Sequence, residues 1–312
     1  MQRMISIIIN FPTNLGDTII SLPILDRLKT NFPESKITAI VSPQTKEFLL
    51  RNTFIDEVVV FDKAWKLRQK MRLPFSLRGK YDLIVDLKNS LFPVILGVKK
   101  RTPFCRNYPK DIHAKDMYLK LVQKIAPIFQ NTKSTFLLEK KEKEKWSNLN
   151  LTKAIFVACS ARSSIKCYSY SHLKEVIDQL LKKSYSIVVL GTKEEVHFYK
   201  DILSLKGVID LVGETKMSDC FYLLEKYASL VLCVDSALMH LASYLNLPIV
   251  ALFGPTNIKR YSPWSANYVV LYRKDLNCVF CEKSFCENPR CMEILPQKVI
   301  EVIEEMIARY VL

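Results

Sequence analysis

Asp235, Ser236 and His240 form the polar group in this 312-residue chain whose types and spacing point most directly to chemistry. They lie between two short apolar runs, Leu230–Val234 and Ile249–Phe253, each with the length and β-branched content of a buried strand. Between the runs, Leu238, Leu241, Ala242 and Leu245 fall at i, i+3, i+4 and i+7, the stripe of a helix that Pro248 ends. Ser236 and His240, four residues apart, share a helix face. Strand, helix and strand in this span predict a right-handed parallel βαβ unit. The three polar residues then fall where such a unit binds ligands, beyond the carboxyl end of its first strand. Two readings fit them. In one, Asp235 is a helix N-cap and His240 a hydrogen-bonded core histidine. In the other, Ser236 and the backbone amides after it receive a phosphate, with His240 as a partner. The second reading requires the Asp235 carboxylate to turn away from the anion, so Asp235 is expected to orient rather than to bind phosphate.

Asp17 poses the same alternative. It follows Asn14-Leu15-Gly16 beyond an expected strand, Met4–Ile9, and is either another N-cap or a carboxylate in a ligand crevice, able to act as a general base. Ser160, Arg162 and Lys166 occupy the loop Cys159–Ser169, and Glu194 and Glu195 follow Gly191 beyond a further apolar run. Arg101, Arg106, Lys110, His113 and Lys115 fall in one irregular stretch. That stretch is a solvated basic loop, or the mouth that receives an anionic acceptor. Cys278, Cys281, Cys286 and Cys291 are spaced C-x2-C-x4-C-x4-C, which matches no common zinc finger, so free thiols and a structural zinc both stay open.

The elements that must position these residues alternate along the chain. Strands are expected at Met4–Ile9, Ile37–Val41, Val58–Phe61 and Asp82–Asp86, and again at Ala154–Ala158, Ile187–Leu190 and Ile209–Val212. Helices are expected through Ile19, Leu22, Leu25 and Leu28, with Pro23 tightening or kinking the run, and over Pro43–Leu50, Ala64–Arg72 and Ser171–Lys182. A last helix opens at Pro296, with Val299, Val302, Ile303, Met306, Ile307 and Tyr310 on one face. Alternation of this kind predicts α/β domains built on open parallel sheets. The mixed-charge run Glu139–Lys145 reads as a solvated helix before a boundary near Leu149–Thr152, giving domains 1–150 and 151–312. Polar residues recur beyond strand ends, the pattern of a nucleotide crevice.

Hydrophobic content of 49% and charged content of 25% are ordinary for a globular protein. A formal charge of +15 is not, and implies an anionic partner: nucleic acid, acidic lipid or a phosphorylated substrate. The longest apolar region is interrupted by Asp235, His240, Asn246 and Pro248, so no membrane span is expected, and the start lacks a signal-peptide pattern. The expected location is the cytoplasm, with the cysteines reduced. There is no G-x-x-x-x-G-K-[ST], no G-x-G-x-x-G, no G-x-S-x-G and no D-x-D pair.

These residues also carry a family likeness. Leu15-Gly16-Asp17, followed by Leu22-Pro23, Leu25, Leu28-Lys29 and Phe32-Pro33, resembles the opening of the glycosyltransferase family 9 heptosyltransferases. Asp235-Ser236-x-x-Met239-His240-Leu241-Ala242, with Pro248 and Gly254-Pro255-Thr256, resembles their second signature, and the Cys278–Cys291 cluster before Pro296 resembles their tail. The resemblance covers essentially the whole chain. It implies a GT-B architecture, two Rossmann-like doubly wound parallel-sheet domains facing a central cleft, the first for the acceptor and the second for the donor. It implies inverting transfer of heptose from ADP-heptose to the lipopolysaccharide inner core. Without a D-x-D pair no metal is required, and no cofactor is expected. Asp17 matches the family's base, Ser160 and Lys166 its donor-phosphate loop, Glu195 its ribose contact, and Asp235, Ser236 and His240 its ADP site. Arg101, Arg106 and His113 are the candidates for an anionic acceptor. Ala237 stands where the family usually has glycine, and Tyr168 where it has tryptophan. The charge fits an enzyme held at the inner leaflet of the inner membrane. The alternatives are a member that uses another nucleotide-sugar or glycan, a non-catalytic binding protein, and a nucleic-acid-binding α/β protein, though no nucleic-acid module is present.

Overall fold

The computed structural model describes residues 4–103, 107, 109–128, 133–149, 151 and 153–310. The chain divides into two compact units, 1–137 and 138–312. In the first, β1 (Ser6–Asn10) leads into α1 (Leu15–Ile20) and α2 (Pro23–Asn31). There follow β2 (Lys36–Val41), α3 (Pro43–Leu50), β3 (Glu57–Val60), α4 (Leu67–Leu77), β4 (Leu83–Asp86), α5 (Phe92–Ile95), β5 (Lys100–Arg101) and α6 (Ala114–Val122). Among the described residues five parallel strands form the sheet, in the order β3-β2-β1-β4-β5. Ile7, Ile8 and Ile9 of the central strand are fully buried, as expected of a strand covered on both faces.

The expected first helix is broken in two. Pro23 has no N–H to donate, and its ring would meet the carbonyl four residues earlier. The chain therefore stops at Ile20, Ser21 Oγ donates to the Thr18 carbonyl (2.7 Å), and Pro23 takes the first turn of α2, where a missing N–H costs nothing. The helix expected over Ala64–Arg72 starts later and runs further, as α4.

The second unit comprises α7 (Lys140–Ser147), β6 (Ala154–Ala158), α8 (Tyr170–Lys182), β7 (Ile187–Gly191), α9 (Val196–Leu203), β8 (Val208–Val212) and α10 (Met217–Tyr227). It continues with β9 (Ala228–Val234), α11 (Ala237–Tyr244), β10 (Ile249–Leu252), α12 (Ile258–Tyr261), β11 (Tyr268–Leu271) and α13 (Pro296–Tyr310). Among the described residues six parallel strands lie in the order β8-β7-β6-β9-β10-β11, the doubly wound order of a dinucleotide-binding fold. On α13 the expected stripe is buried through Ile307, but Tyr310, in the last turn, is exposed, with Arg309 over its ring.

The division falls before α7 rather than after it. Upstream, Phe136 stacks on Phe48 of α3 at 4.1 Å between ring centroids, and the Leu137 N–H donates to the Arg51 carbonyl (2.8 Å). Downstream, the fully buried Trp146 of α7 donates Nε1–H to Asp219 Oδ1 of α10 (2.9 Å). One apolar side chain thus ties an otherwise charged helix to the second unit.

Candidate active site

In the second sheet, β6 and β9 are neighbours from which the chain winds to opposite sides, and ligands bind beyond the carboxyl ends of strands at such a point. Ala158 is in register with Cys233, so the segments carrying Ser160 and Asp235 leave the sheet side by side. A single 3-10 turn, Ser164–Lys166, brings Lys166 back to that rim, with the Cys167 thiol held by Ala161. There Lys166 Nζ lies 2.6 Å from Asp235 Oδ2. Thr256, carried by the turn after β10, donates its hydroxyl to the same oxygen at 2.9 Å. His240 Nε2 stands 3.5 Å from Asp235 Oδ1, and the imidazole stacks on Trp264 with the rings 18° from parallel. His240 Nδ1 is buried without a hydrogen-bond partner among the described residues.

Burial by itself would raise the Asp235 carboxyl. The hydrogen bond and charge of His240, and then those of Lys166, outweigh it and hold the carboxyl well below the usual carboxylate range. Asp235 is therefore an ionised hub that orients a cation, a hydroxyl and an imidazole. It is not the N-cap. Ser236 caps α11, its Oγ accepting from the Met239 N–H at 3.5 Å. The anion-attracting helix N-terminus thus sits beside a carboxylate already neutralised by Lys166.

Ser160, buried beyond β6, is fixed by Tyr199 of α9. The tyrosine hydroxyl accepts from the Ser160 N–H and donates to Ser160 Oγ, both at 2.9 Å, which leaves the serine hydroxyl proton to donate elsewhere. Burial pushes the Tyr199 phenol far up, so it stays a neutral donor. Glu195 ends the 3-10 turn after β7, where Oε2 accepts from the Thr192 N–H at 2.6 Å. In the first unit, Asp17 lies half-buried in the first turn of α1, with Asn14 Nδ2 3.4 Å from its Oδ2. At the neighbouring strand end Asp86 is fully buried, accepting from Asn10 Nδ2 (2.7 Å), the Ser90 N–H (2.6 Å) and Ser90 Oγ (3.1 Å).

The family model of glycosyltransferase family 9 (heptosyltransferase) matches residues 70–291. The chain belongs to this family. Lipooligosaccharide heptosyltransferase 2 of Campylobacter jejuni is 26% identical over 96% of this chain and 98% of its own length. Among solved structures, the Escherichia coli ADP-heptose lipopolysaccharide heptosyltransferase II superposes with a TM-score of 0.77 at 21% identity, covering 98% of this chain and 99% of that one. The E. coli heptosyltransferase WaaC with ADP gives 0.72 at 17% identity, covering 97% and 100%. The fold is GT-B, with two Rossmann-like α/β domains.

The structure of this family 9 glycosyltransferase thus gathers Lys166, Asp235, Ser236 and His240 at one rim of the second sheet and holds Ser160 on the adjacent strand end. Of the basic candidates in the first unit, Arg101 is exposed on the edge strand β5. His113 is the N-cap of α6, its Nδ1 accepting from the Lys115 N–H at 3.1 Å. Arg106 lies outside the described residues. Lys88, which sequence reasoning passed over, follows β4 with Nζ 5.8 Å from the Phe61 ring centroid. Burial, and next the charge of Lys63, lowers its ammonium to about 8. Sequence reasoning also passed over Thr256 as a hydroxyl donor, Tyr199 and Trp264.

The cysteine-rich segment has a structural part in the site. Cys278, Cys281 and Cys286 are exposed free thiols and Cys291 is a buried one, raised by burial and then by its neighbours Cys278 and Cys281. Among the described residues no three His, Cys, Asp or Glu side chains are grouped to hold a metal ion. The segment packs on the turn that delivers Thr256. The Phe280 and Glu282 N–H groups donate to the Gly254 and Pro255 carbonyls, both at 2.8 Å. A Cβ on Gly254 would stand 2.6 Å from Met292 Sδ and 2.9 Å from Cys291 Sγ. Gly254→Ala is therefore expected to lower stability by about 1–3 kcal/mol through overpacking, read as a lowered urea midpoint with unchanged slope. A midpoint equal to wild type would show that the segment yields freely.

Proposed function

We propose that the chain transfers heptose, with inversion, from ADP-heptose to an anionic acceptor of the lipopolysaccharide inner core. The observation that carries the reading is the Lys166–Asp235–Thr256–His240 cluster beside the N-terminus of α11, a diphosphate receptor at the switch point of a doubly wound sheet. The relatives, heptosyltransferases and one of them solved with ADP, support heptose as the sugar and ADP as the carrier. In this reaction Asp17 takes the proton of the acceptor hydroxyl as its oxygen bonds to the anomeric carbon. The bond from that carbon to the diphosphate oxygen breaks, and ADP leaves from the opposite face. The charge growing on the leaving diphosphate meets Lys166, the Ser236–Leu238 backbone at the start of α11, and the hydroxyl of Ser160. Glu195 faces the ribose. The lysine and the helix terminus take the part that a metal held by a D-x-D pair takes in other sugar transferases, so turnover should persist in a chelator. Arg101, Arg106 and the half-buried Lys88 supply positive charge for the acceptor's phosphates and acidic sugars, and His113, whose Nδ1 accepts from the Lys115 N–H, offers them its Nε2–H as a neutral donor. The net charge of +15 suits work at the cytoplasmic face of an anionic membrane, and among the described residues no helix is long and apolar enough to cross one.

The experiment is calorimetric titration of the purified protein with ADP, UDP and GDP in the presence of a chelator. Preference for ADP is the expected result. Preference for UDP or GDP would keep the transferase and discard the heptose donor. Binding to none of them would overturn the reading.

A further inference from the structure

On the first unit, α4 buries one side and leaves a second apolar side in solvent. Leu73 and Leu77 pack with Ile8, Ile40, Ile84 and Phe92 in the core. Leu67, Met71 and Phe75, at i, i+4 and i+8, form a stripe that is 75%, 46% and 55% exposed. Single exposed apolar side chains are ordinary, but three large ones in register along one helix are not. The stripe lies in the most basic stretch of the chain. From Lys63 to Lys80 there are seven lysines and arginines and no aspartate or glutamate. None of the seven is ion-paired among the described residues. Leu91 and Val94, at the start of and within α5, which packs against α4, are also exposed, at 61% and 43%.

We infer that α4 is a membrane-docking element that lies in the plane of an anionic phospholipid surface, with Leu67, Met71 and Phe75 inserted and the flanking basic side chains on the headgroups. Charge and apolarity occur together on one short helix, and that pairing selects the occupant. A nucleic acid would use the cations but leave the stripe wet. A protein groove would cover the stripe but would not call for seven cations without a counter-charge. A lipid interface takes both. The helix is about 16 Å long at 1.5 Å per residue, and no helix among the described residues is long and apolar enough to cross a membrane, so α4 lies on the surface rather than spanning it. α4 starts beyond the carboxyl end of β3, at the rim of the sheet that also carries Asp17 beyond β1, so docking there sets that rim at the bilayer. The inference rests on the proposed membrane-borne acceptor and locates the surface that reaches it.

The test is flotation of the full chain with vesicles of phosphatidylcholine alone or with about one third phosphatidylglycerol, at low and high salt. The wild type is expected to float with anionic vesicles, less at high salt, and to stay behind with neutral ones. The triple variant Leu67→Ser/Met71→Ser/Phe75→Ser is expected to lose about tenfold or more in partitioning, with its thermal midpoint and its affinity for ADP unchanged. Leu50→Ser, which removes an apolar side chain 59% exposed but outside the basic stretch, is the control and should float as wild type. A triple variant that floats as well as wild type, or a control that falls equally, overturns the assignment to α4 while the membrane reading stands. A wild type that ignores anionic vesicles yet binds ADP overturns the docking inference and leaves the transferase in place. Self-association, or retardation of a nucleic acid, that the triple variant abolishes would give the face to that partner instead and overturn the proposal.

Discussion

Asp17→Asn is expected to lower kcat by about two to four orders of magnitude, the usual worth of a positioned general base, while ADP affinity stays at the wild-type value. The substitution is isosteric. Its carbonyl oxygen can still meet the Asn14 amide that lies 3.4 Å from Asp17 Oδ2, and the first turn of α1 needs no other partner from this side chain. What asparagine lacks is the capacity to take a proton from the attacking hydroxyl. Asp17 belongs to the first unit, whereas Lys166, Asp235 and Ser236 belong to the second, so nucleotide affinity and turnover are separate readouts. Loss of both would point to a folding defect, which the thermal midpoint would reveal. A kcat within about threefold of wild type, with product formation measured under saturating donor and acceptor, would remove Asp17 from the role of base.

The strands were legible because parallel strands buried on both faces read as continuous apolar runs. The expected Ala154–Ala158 and Pro43–Leu50 have the bounds observed, the first an unbroken apolar run and the second opened by a proline at its first turn. The helix ends were legible where a residue's chemistry acts locally. Pro23 marked a disturbance, but whether it would kink a helix or part it depended on Ser21 finding the Thr18 carbonyl. The site was legible as a set of residue types beyond strand ends. It was not legible as a set of bonds. Lys166 and Asp235 are joined across 69 positions, and Tyr199 and Ser160 across 39, distances over which no periodicity speaks. Thr256 was visible as part of a motif but not as a donor to Asp235, because its turn is placed by the docked cysteine segment. Glu195 shows the converse case. Thr192-x-x-Glu195 is a capping box readable from sequence, and the structure has one carboxylate oxygen making that bond.

Asp235→Ala is expected to cost about 3 kcal/mol of stability, toward the lower end of the range for breaking a buried ion pair, and to weaken nucleotide binding. Three donors converge on this carboxylate: Lys166 Nζ, the Thr256 hydroxyl and His240 Nε2. Alanine leaves all three without their acceptor. The lower end of the range applies because the Lys166 side chain is 33% exposed and recovers part of its hydration, whereas His240 is buried and gains nothing in exchange. Asp235→Asn should cost less, since its oxygen can still accept from Lys166 and Thr256, but it leaves the lysine charge uncompensated. The pH dependence separates the two contributions. The folded-state carboxyl of Asp235 is held below its ordinary value, so the unfolded chain binds this proton first as pH falls. The stabilisation is complete above the ordinary carboxylate pKa of about 4 and is lost as the solution is acidified through it toward the folded value. The gap in unfolding free energy between wild type and Asp235→Asn should therefore be present at about pH 5 and narrow below about 4. Chemical denaturation of both proteins across that range measures it. A gap that is flat down to pH 3 would show that Asp235 acts through shape and hydrogen bonding, with its charge making no net contribution. The same carboxylate predicts a coupling: Lys166→Met should be less damaging to stability in the Asp235→Ala background than alone, because the cation it removes there has already lost its partner. Additive effects would deny the pair, and with it the view that Lys166 stands ready at the helix terminus because Asp235 holds it there.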